Sequence, residues 1–329
     1  MSLTDLEAEA SVPPASEEPD GRKIEGRSPW QLAWARLRQD KAAMISLTVI
    51  ILLIVMALLA PLFAKWVGYQ PDFGDRKLGV TDDGLPVGPN SHHPLGTDRL
   101  GRDILVRAVY GARISLLVGL VSTLLAVICG VIIGAAAGYY GGAIDTILAR
   151  FMDVTLSFPY LLFAIALAAA FGASTPLTIF VITFFSFASI GRIVRGQVLQ
   201  IKEREFIEAA RSLGASSVRT MFIDVIPNLI APVTVLGSMT IPTAIIFEST
   251  LSFLGAGIDP RTPSWGNMLS DATETYTVAW WTLFIPALFL LVTTLAFNIL
   301  GDAVRDALDP RSERLFAAQK ANRKKKKRK

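Results

Sequence analysis

Few residues in this sequence are of a type and spacing that could do chemistry. Its two histidines, His92 and His93, are neighbours in a polar segment, and its single cysteine, Cys129, sits in an apolar run. Two adjacent imidazoles supply an incomplete metal site, and one thiol supports neither an internal disulfide nor a thiolate cluster. No metal ligand and no catalytic residue is therefore assigned, and Cys129 reads as inert. No Gly-x4-Gly-Lys-[Ser/Thr] sequence occurs, so any loop cradling nucleotide phosphates must belong to another protein. Glu248 is the one acid deep inside an apolar stretch. Facing lipid at mid-depth it would cost ~2.5–3.5 kcal/mol, so it should face protein or a water-filled cavity. Two roles stand open for it: a partner for the ammonium end of a substrate on a transport pathway, or a structural hydrogen-bond acceptor. The remaining charged run, Lys202 to Arg219, suits docking. Phe206, Ala209, Ala210 and Leu213 recur at helical spacing, Gly214 can end the helix in a left-handed conformation, and Ser216 or Ser217 can cap a second helix. The small Ala209 and Ala210 would let the first helix sink into a groove on another protein, leaving Glu208 and Arg211 for charged contacts at its rim. A DNA-reading helix-turn-helix looks similar in isolation, but apolar stretches on both sides argue against it.

The elements that must position these residues are lipid-embedded. Of 329 residues 52% are hydrophobic and only 18% charged, with mean hydropathy +0.46, against about 25% charged in soluble domains. Charge-free runs at 42–64, 114–144 and 154–191 reach or exceed the ~20 residues that cross a bilayer. The implied class is an all-α polytopic membrane protein with six spans: 42–64, 114–138, 144–171, 176–195, 225–254 and 278–300. Residues 1–28 hold seven acidic residues and three prolines with no aromatic residue, the composition of a disordered arm. Residues 29–41, with Trp30 and Trp34 among basic residues, read as an interfacial helix. The polar segment 65–113 ends in His93-Pro94-Leu95-Gly96-Thr97-Asp98-Arg99-Leu100-Gly101-Arg102-Asp103, where Thr97 or Asp98 can cap a helix lying along the membrane surface. Gly130, Gly134 and Gly138 recur every four residues and mark one helix face for close packing. Pro159, Pro242 and Pro286 should bend their spans. Asp145, Arg150 and Asp153 cluster at one end of the third span, where pairing explains them.

Charge then orients the chain. Six spans place both termini on one side, and that side, with the segment 196–224, would hold 24 of the 32 Lys and Arg, against 8 for the segments 65–113 and 255–277. The positive-inside rule assigns both termini to the cytoplasm. The tail 301–329 ends in seven consecutive basic residues, which could hold anionic lipid at about 1 kcal/mol each. A solvated tail that reinforces the topology is the simpler reading, and no nucleic acid is expected.

With these residues in view the sequence resembles a known family. Glu208-Ala209-Ala210 followed by Gly214, with Ile226-Pro227 beyond, is similar to the EAA loop of ABC importer permeases. The likeness runs from Trp30 to Arg311 and includes His93 to Asp98 with Gly101-Arg102-Asp103, Ser157-Phe158-Pro159, Leu251 to Gly255, Pro263 to Leu269 and Asp306 to Arg311. Together these resemble the C-type permease subunit of dipeptide, oligopeptide and nickel importers, with a type I ABC importer permease fold. The resemblance implies that Glu208, Ala209, Ala210, Arg211 and Gly214 form a coupling helix seated on an ATPase subunit. It implies a B-type permease as heterodimer partner, two ABC ATPases that bind ATP and magnesium, an extracytoplasmic substrate-binding protein, surrounding lipid and no cofactor on this chain. It places the complex in a bacterial or archaeal cytoplasmic membrane, importing di- or oligopeptides, with nickel or another small solute, or ion-coupled secondary transport, as alternatives. Relatives with varied cargo carry an acid in the motif around Glu248, which favours its structural role. Ile223-Asp224 departs from the basic or aromatic character usual at that place.

Overall fold

The computed structural model describes residues 29–75 and 77–309. The described residues are almost wholly helical, with isolated antiparallel bridges and no strand among them. Helix α1 (Pro29–Leu37) precedes α2 (Lys41–Leu58) and α3 (Ala60–Val67). The Asp40 carboxylate accepts from the amides of Ala42 (2.8 Å) and Ala43 (3.2 Å) and so starts α2. Within the expected span 42–64, α2 ends at Leu58 and α3 restarts after Leu59 with proline in its first turn. Arg36 on α1 donates to the Ala307 carbonyl (3.1 Å), placing a cation at the C-terminus of the last helix.

Helix α4 (Ile104–Tyr140) runs for 37 residues, about 55 Å at 1.5 Å per residue, well beyond the ~30 Å hydrocarbon core. The sequence boundaries put a separate surface helix before a span beginning at 114; in the structure the two are continuous, with no proline between Ile104 and Ile114 to end the helix. Helices α5 (Gly142–Ser157) and α6 (Tyr160–Phe171) meet at 82°. Phe158, held extended before Pro159, makes the corner, so the expected third span 144–171 is a bent pair. Helix α7 (Thr175–Lys202) continues past the expected end at 195. There follow α8 (Glu205–Ser212), α9 (Ser217–Thr220), a π-turn at Met221–Val225, α10 (Ile226–Phe253), α11 (Trp265–Ala272) inside the expected loop, and α12 (Trp280–Leu308). Pro232, Pro242 and Pro286 lie inside continuous helices. Among the described residues five helices are long and apolar enough to cross a membrane, and the α5–α6 pair makes up to six.

Two apolar clusters hold the frame together. One joins α4, α7 and the turn before α10 through Tyr139, Phe187, Val194, Val198, Met221 and Leu229. The other joins α2, the first half of α4, α10, α11 and α12 through Leu53, Leu116, Ile245, Trp265 and Phe297. Helices α4 and α7 share the most extensive contact. A Cβ at Gly134 would lie 2.4 Å from the Gly191 carbonyl oxygen, and one at Gly138 2.9 Å from that of Arg195. The glycine stripe therefore brings two backbones together where any side chain would separate them.

Candidate coupling site and loop-rich cap

Helix α8 stands at the end of the molecule where α4 and α5 meet. Ile207 is its one buried side chain, sunk into the cluster with Tyr139, Val198, Ile201, Met221 and Val225. The helix closes in a Schellman motif: Ala215 N–H donates to the Ala210 carbonyl (3.0 Å) and Gly214 N–H to that of Arg211 (2.9 Å), with Gly214 at φ +82°. Ser216 then accepts from the Arg219 amide (3.3 Å) to start α9. Glu208, Ala209, Arg211 and Gly214 are exposed and Ala210 is half-buried. Phe206, Leu213, Val218, Phe222 and Ile223 add exposed apolar surface, with Leu213 88% exposed. The exposed Arg211 also has a neighbour that the sequence did not show: its guanidinium lies over the Tyr139 ring, 5.4 Å from the centroid. Reading Phe206, Ala209, Ala210 and Leu213 as the organising stripe also missed Ile207, the residue that anchors the helix. Its signal was present: it is the one branched aliphatic residue in a helix otherwise rich in charged and small residues.

Beside this elbow, α5 is fastened to α7 by ion pairs. Arg195 makes two bonds to Asp145 (2.5 and 2.7 Å) and Arg192 one to Asp153 (2.5 Å). The acids at this end of the third span thus find their partners on α7.

Glu248 lies fully buried between α10 and α4. Its Oε2 accepts from Ser115 of α4 (2.7 Å) and from Ser249 (3.3 Å), and its Oε1 accepts from Ser252 (2.9 Å). The Ser252 oxygen in turn accepts from the Ile258 amide (3.2 Å), linking the carboxylate to the loop after α10. The carboxylate faces hydroxyls on both of its oxygens and has no open side.

At the opposite end, most of the residues from His93 to Asp103 fold inward, leaving Pro94, Arg99 and Leu100 exposed. His93 Nδ1 meets Asp103 Oδ2 at 2.9 Å, with both side chains buried and the imidazole stacked on Tyr69 (4.7 Å). His92 is exposed, so the two histidines do not converge on one point. Thr97 donates to the Gly79 carbonyl (2.6 Å), and Asp103 caps α4 through the Val106 amide (2.9 Å). Arg102 bonds Asp98 (2.6 Å) and Asp271 (2.7 Å), and the fully buried Arg107 bonds Asp271 (3.1 Å) and lies 3.5 Å from Asp98. Trp265 donates to the Ala108 carbonyl and Trp281 to that of Thr97, both at 3.1 Å. The long first loop, the start of α4, α11 and the start of α12 therefore form one cap. Asp75 in this cap has its carboxyl held below the usual aspartate range, chiefly by the Leu78 amide, with a further amide from Lys77, against an opposing effect of burial.

Residues 130–314, which carry the elbow, Glu248 and α11, match the family described as binding-protein-dependent transport system inner membrane component. The chain belongs to this family. Residues 28–79 match the N-terminal transmembrane domain of oligopeptide transport permease C. The dipeptide transport system permease protein DppC of Bacillus subtilis is 41% identical over 90% of this chain and 90% of its own length. The oligopeptide transport system permease protein OppC of Haemophilus influenzae is 40% identical over 88% and 91%. Inward-facing structures of the MetNI methionine ABC transporter include a chain that shares the fold, with TM-score 0.52 and 17% identity over 62% of this chain and 96% of that one.

In this permease the outward faces of the helices differ in kind. On α4 the exposed positions between Arg113 at the cap end and Tyr140 at the elbow end are Leu117, Leu120, Val121, Leu124, Leu125, Ile128 and Ile132, all apolar, as contact with lipid chains requires. On α10 the exposed register carries Asn228, Met239, Thr243, Ile246 and Phe253, mixing polar with apolar side chains. Between its ends α4 thus presents an apolar face, and α10 presents an amphipathic one.

Proposed function

We propose that this permease imports di- or oligopeptides as one half of a membrane channel powered by ATP hydrolysis in separate subunits. One observation supports the reading above the others: the exposed, sharply terminated α8 stands on a chain that resembles dipeptide and oligopeptide permeases over about nine-tenths of its length. On this reading a B-type permease completes the channel against the amphipathic face of α10, and two ABC ATPases dock at α8 and the exposed Leu213, Val218 and Phe222. ATP and magnesium are held by those ATPases, and this subunit binds no cofactor and catalyses no bond change. Both termini and the elbow face the cytoplasm, and the cap faces outward to receive a substrate-binding protein.

The geometry gives this reading a mechanical route. Closure of the ATPases would displace α8, and Ile207, embedded among residues of α4, α7 and the π-turn, passes the displacement to all three. The glycine contacts keep α4 and α7 from sliding apart, so they move as one body and shift the outward half of the channel. Purification is the test. ATPase subunits should accompany the unsubstituted chain and be lost with Glu208→Lys and Gly214→Val together, and vesicles holding the whole complex should accumulate labelled dipeptide only with ATP. Ion-driven uptake by this chain alone would overturn the reading in favour of a secondary transporter.

A further inference from the structure

Helix α8 is joined to the rest of the permease thinly. Its one buried side chain is Ile207, and the guanidinium of Arg211 lies over the ring of Tyr139. Tyr139 is the penultimate residue of α4, only 5% exposed, and belongs to the same apolar cluster as Ile207. It follows directly on Gly138, where the α4 backbone presses on Arg195 and Val198 of α7. Tyr139 therefore meets the elbow through its ring and adjoins the root of the α4–α7 pair through its backbone. The negative face of the ring attracts the guanidinium, which a neutral side chain of similar length would not reproduce.

We infer that Tyr139 is the positioning residue that carries displacement of α8 into α4, with Arg211 as the clasp that holds the helix against it. The inference rests on the importer reading above and deepens it, because it gives Arg211 a partner inside this chain instead of one on an ATPase. The two assignments make opposite predictions for a double substitution.

The test uses the whole complex in lipid vesicles and reads the factor by which the binding protein stimulates ATP hydrolysis. Tyr139→Leu and Arg211→Gln should each lower that factor about two- to fivefold, the range a lightly shielded cation–π contact sustains. Tyr139→Phe and Arg211→Lys, which keep the ring and the cation, should restore most of it. Tyr140→Leu, at the exposed neighbouring ring, should leave the factor unchanged. In the Tyr139→Leu background, Arg211→Gln should add nothing further. If it instead adds its full effect, or if Tyr139→Phe is as damaging as Tyr139→Leu, the inference fails and Arg211 acts on the ATPase. Should Tyr139→Leu not assemble, the same comparison is made with Arg211→Gln and Arg211→Lys in the Tyr139→Phe chain, where equal factors for the two would overturn it. Absence of any stimulation in the unsubstituted complex would sink the importer reading itself.

Discussion

Glu248 shows how far a residue's chemistry depends on its enclosure. Three serine hydroxyls occupy the carboxylate, one of them from α4, so its measurable contribution should be to stability. Glu248→Leu leaves those hydroxyls without an acceptor, at about 1–3 kcal/mol for each that stays unpaired. Melting of the detergent-solubilised complex should fall sharply for Glu248→Leu and less for Glu248→Gln, with peptide affinity in the Gln variant near its original value. A large loss of affinity without a change in melting would return Glu248 to the substrate pathway. Asp75 supplies a pH prediction at the same scale. Its lowered pKa means that the stabilisation it adds to the cap is complete above the ordinary aspartate pKa and is lost as pH falls through the lowered value. Hydrogen exchange at the Leu78 and Lys77 amides should therefore rise, relative to neighbouring amides, only in acid. Glu248's tie to α4 is not legible locally, since Ser115 is 133 positions away, whereas Asp75 bonds amides only two and three residues on.

At the scale of elements, the permease is assembled from two contacts of different character. Where α4 meets α7, glycines remove side chains, and a Gly134→Leu substitution meets the Gly191 carbonyl at its first carbon. Overpacking of this kind costs about 1–3 kcal/mol or more, and the yield of folded permease on size-exclusion chromatography should drop accordingly. Where α4 meets α11 ion pairs join the apolar packing: Arg107 of α4 and Arg102 just before it share Asp271. Replacing the buried Arg107 by Met leaves Asp98 and Asp271 partly uncompensated, a loss of about 3–5 kcal/mol. Protease accessibility of the segment between α10 and α12 should increase in that variant, while the elbow, at the other end of α4, stays protected. The four-residue glycine period was readable in the sequence because it repeats locally. The Arg107–Asp271 pair was not, because 164 residues separate its members and Arg107 looked like one of several loop cations.

For the whole molecule, orientation is the decisive quantity. In a Cys129→Ala background, a cysteine at Glu208 should react with a membrane-impermeant maleimide only from the cytoplasmic side, and one at His92 only from outside. Labelling of both from one side would break the topology and the importer reading with it. The sequence by itself determined the all-helical class, the apolar stretches, the elbow with its Gly214 stop and the sites of the sharp Pro159 corner, because hydropathy, turn chemistry and helix stops are encoded within a few neighbouring residues. Only the tertiary structure decided that α4 runs unbroken from the cap to the elbow, that Ile207 anchors α8, that Arg211 lies on Tyr139, and that most of the motif from His93 to Asp103 is folded inward. The physical reason lies in the solvent. In water an apolar stripe reveals which face is buried, but in a bilayer both lipid and helix neighbours accept apolar side chains, so α4 carries Leu120 and Leu124 outward and Leu116 inward with no difference in type. Packing faces there are set by shape and by polar partners distant in sequence, and those exist only once the helices are assembled.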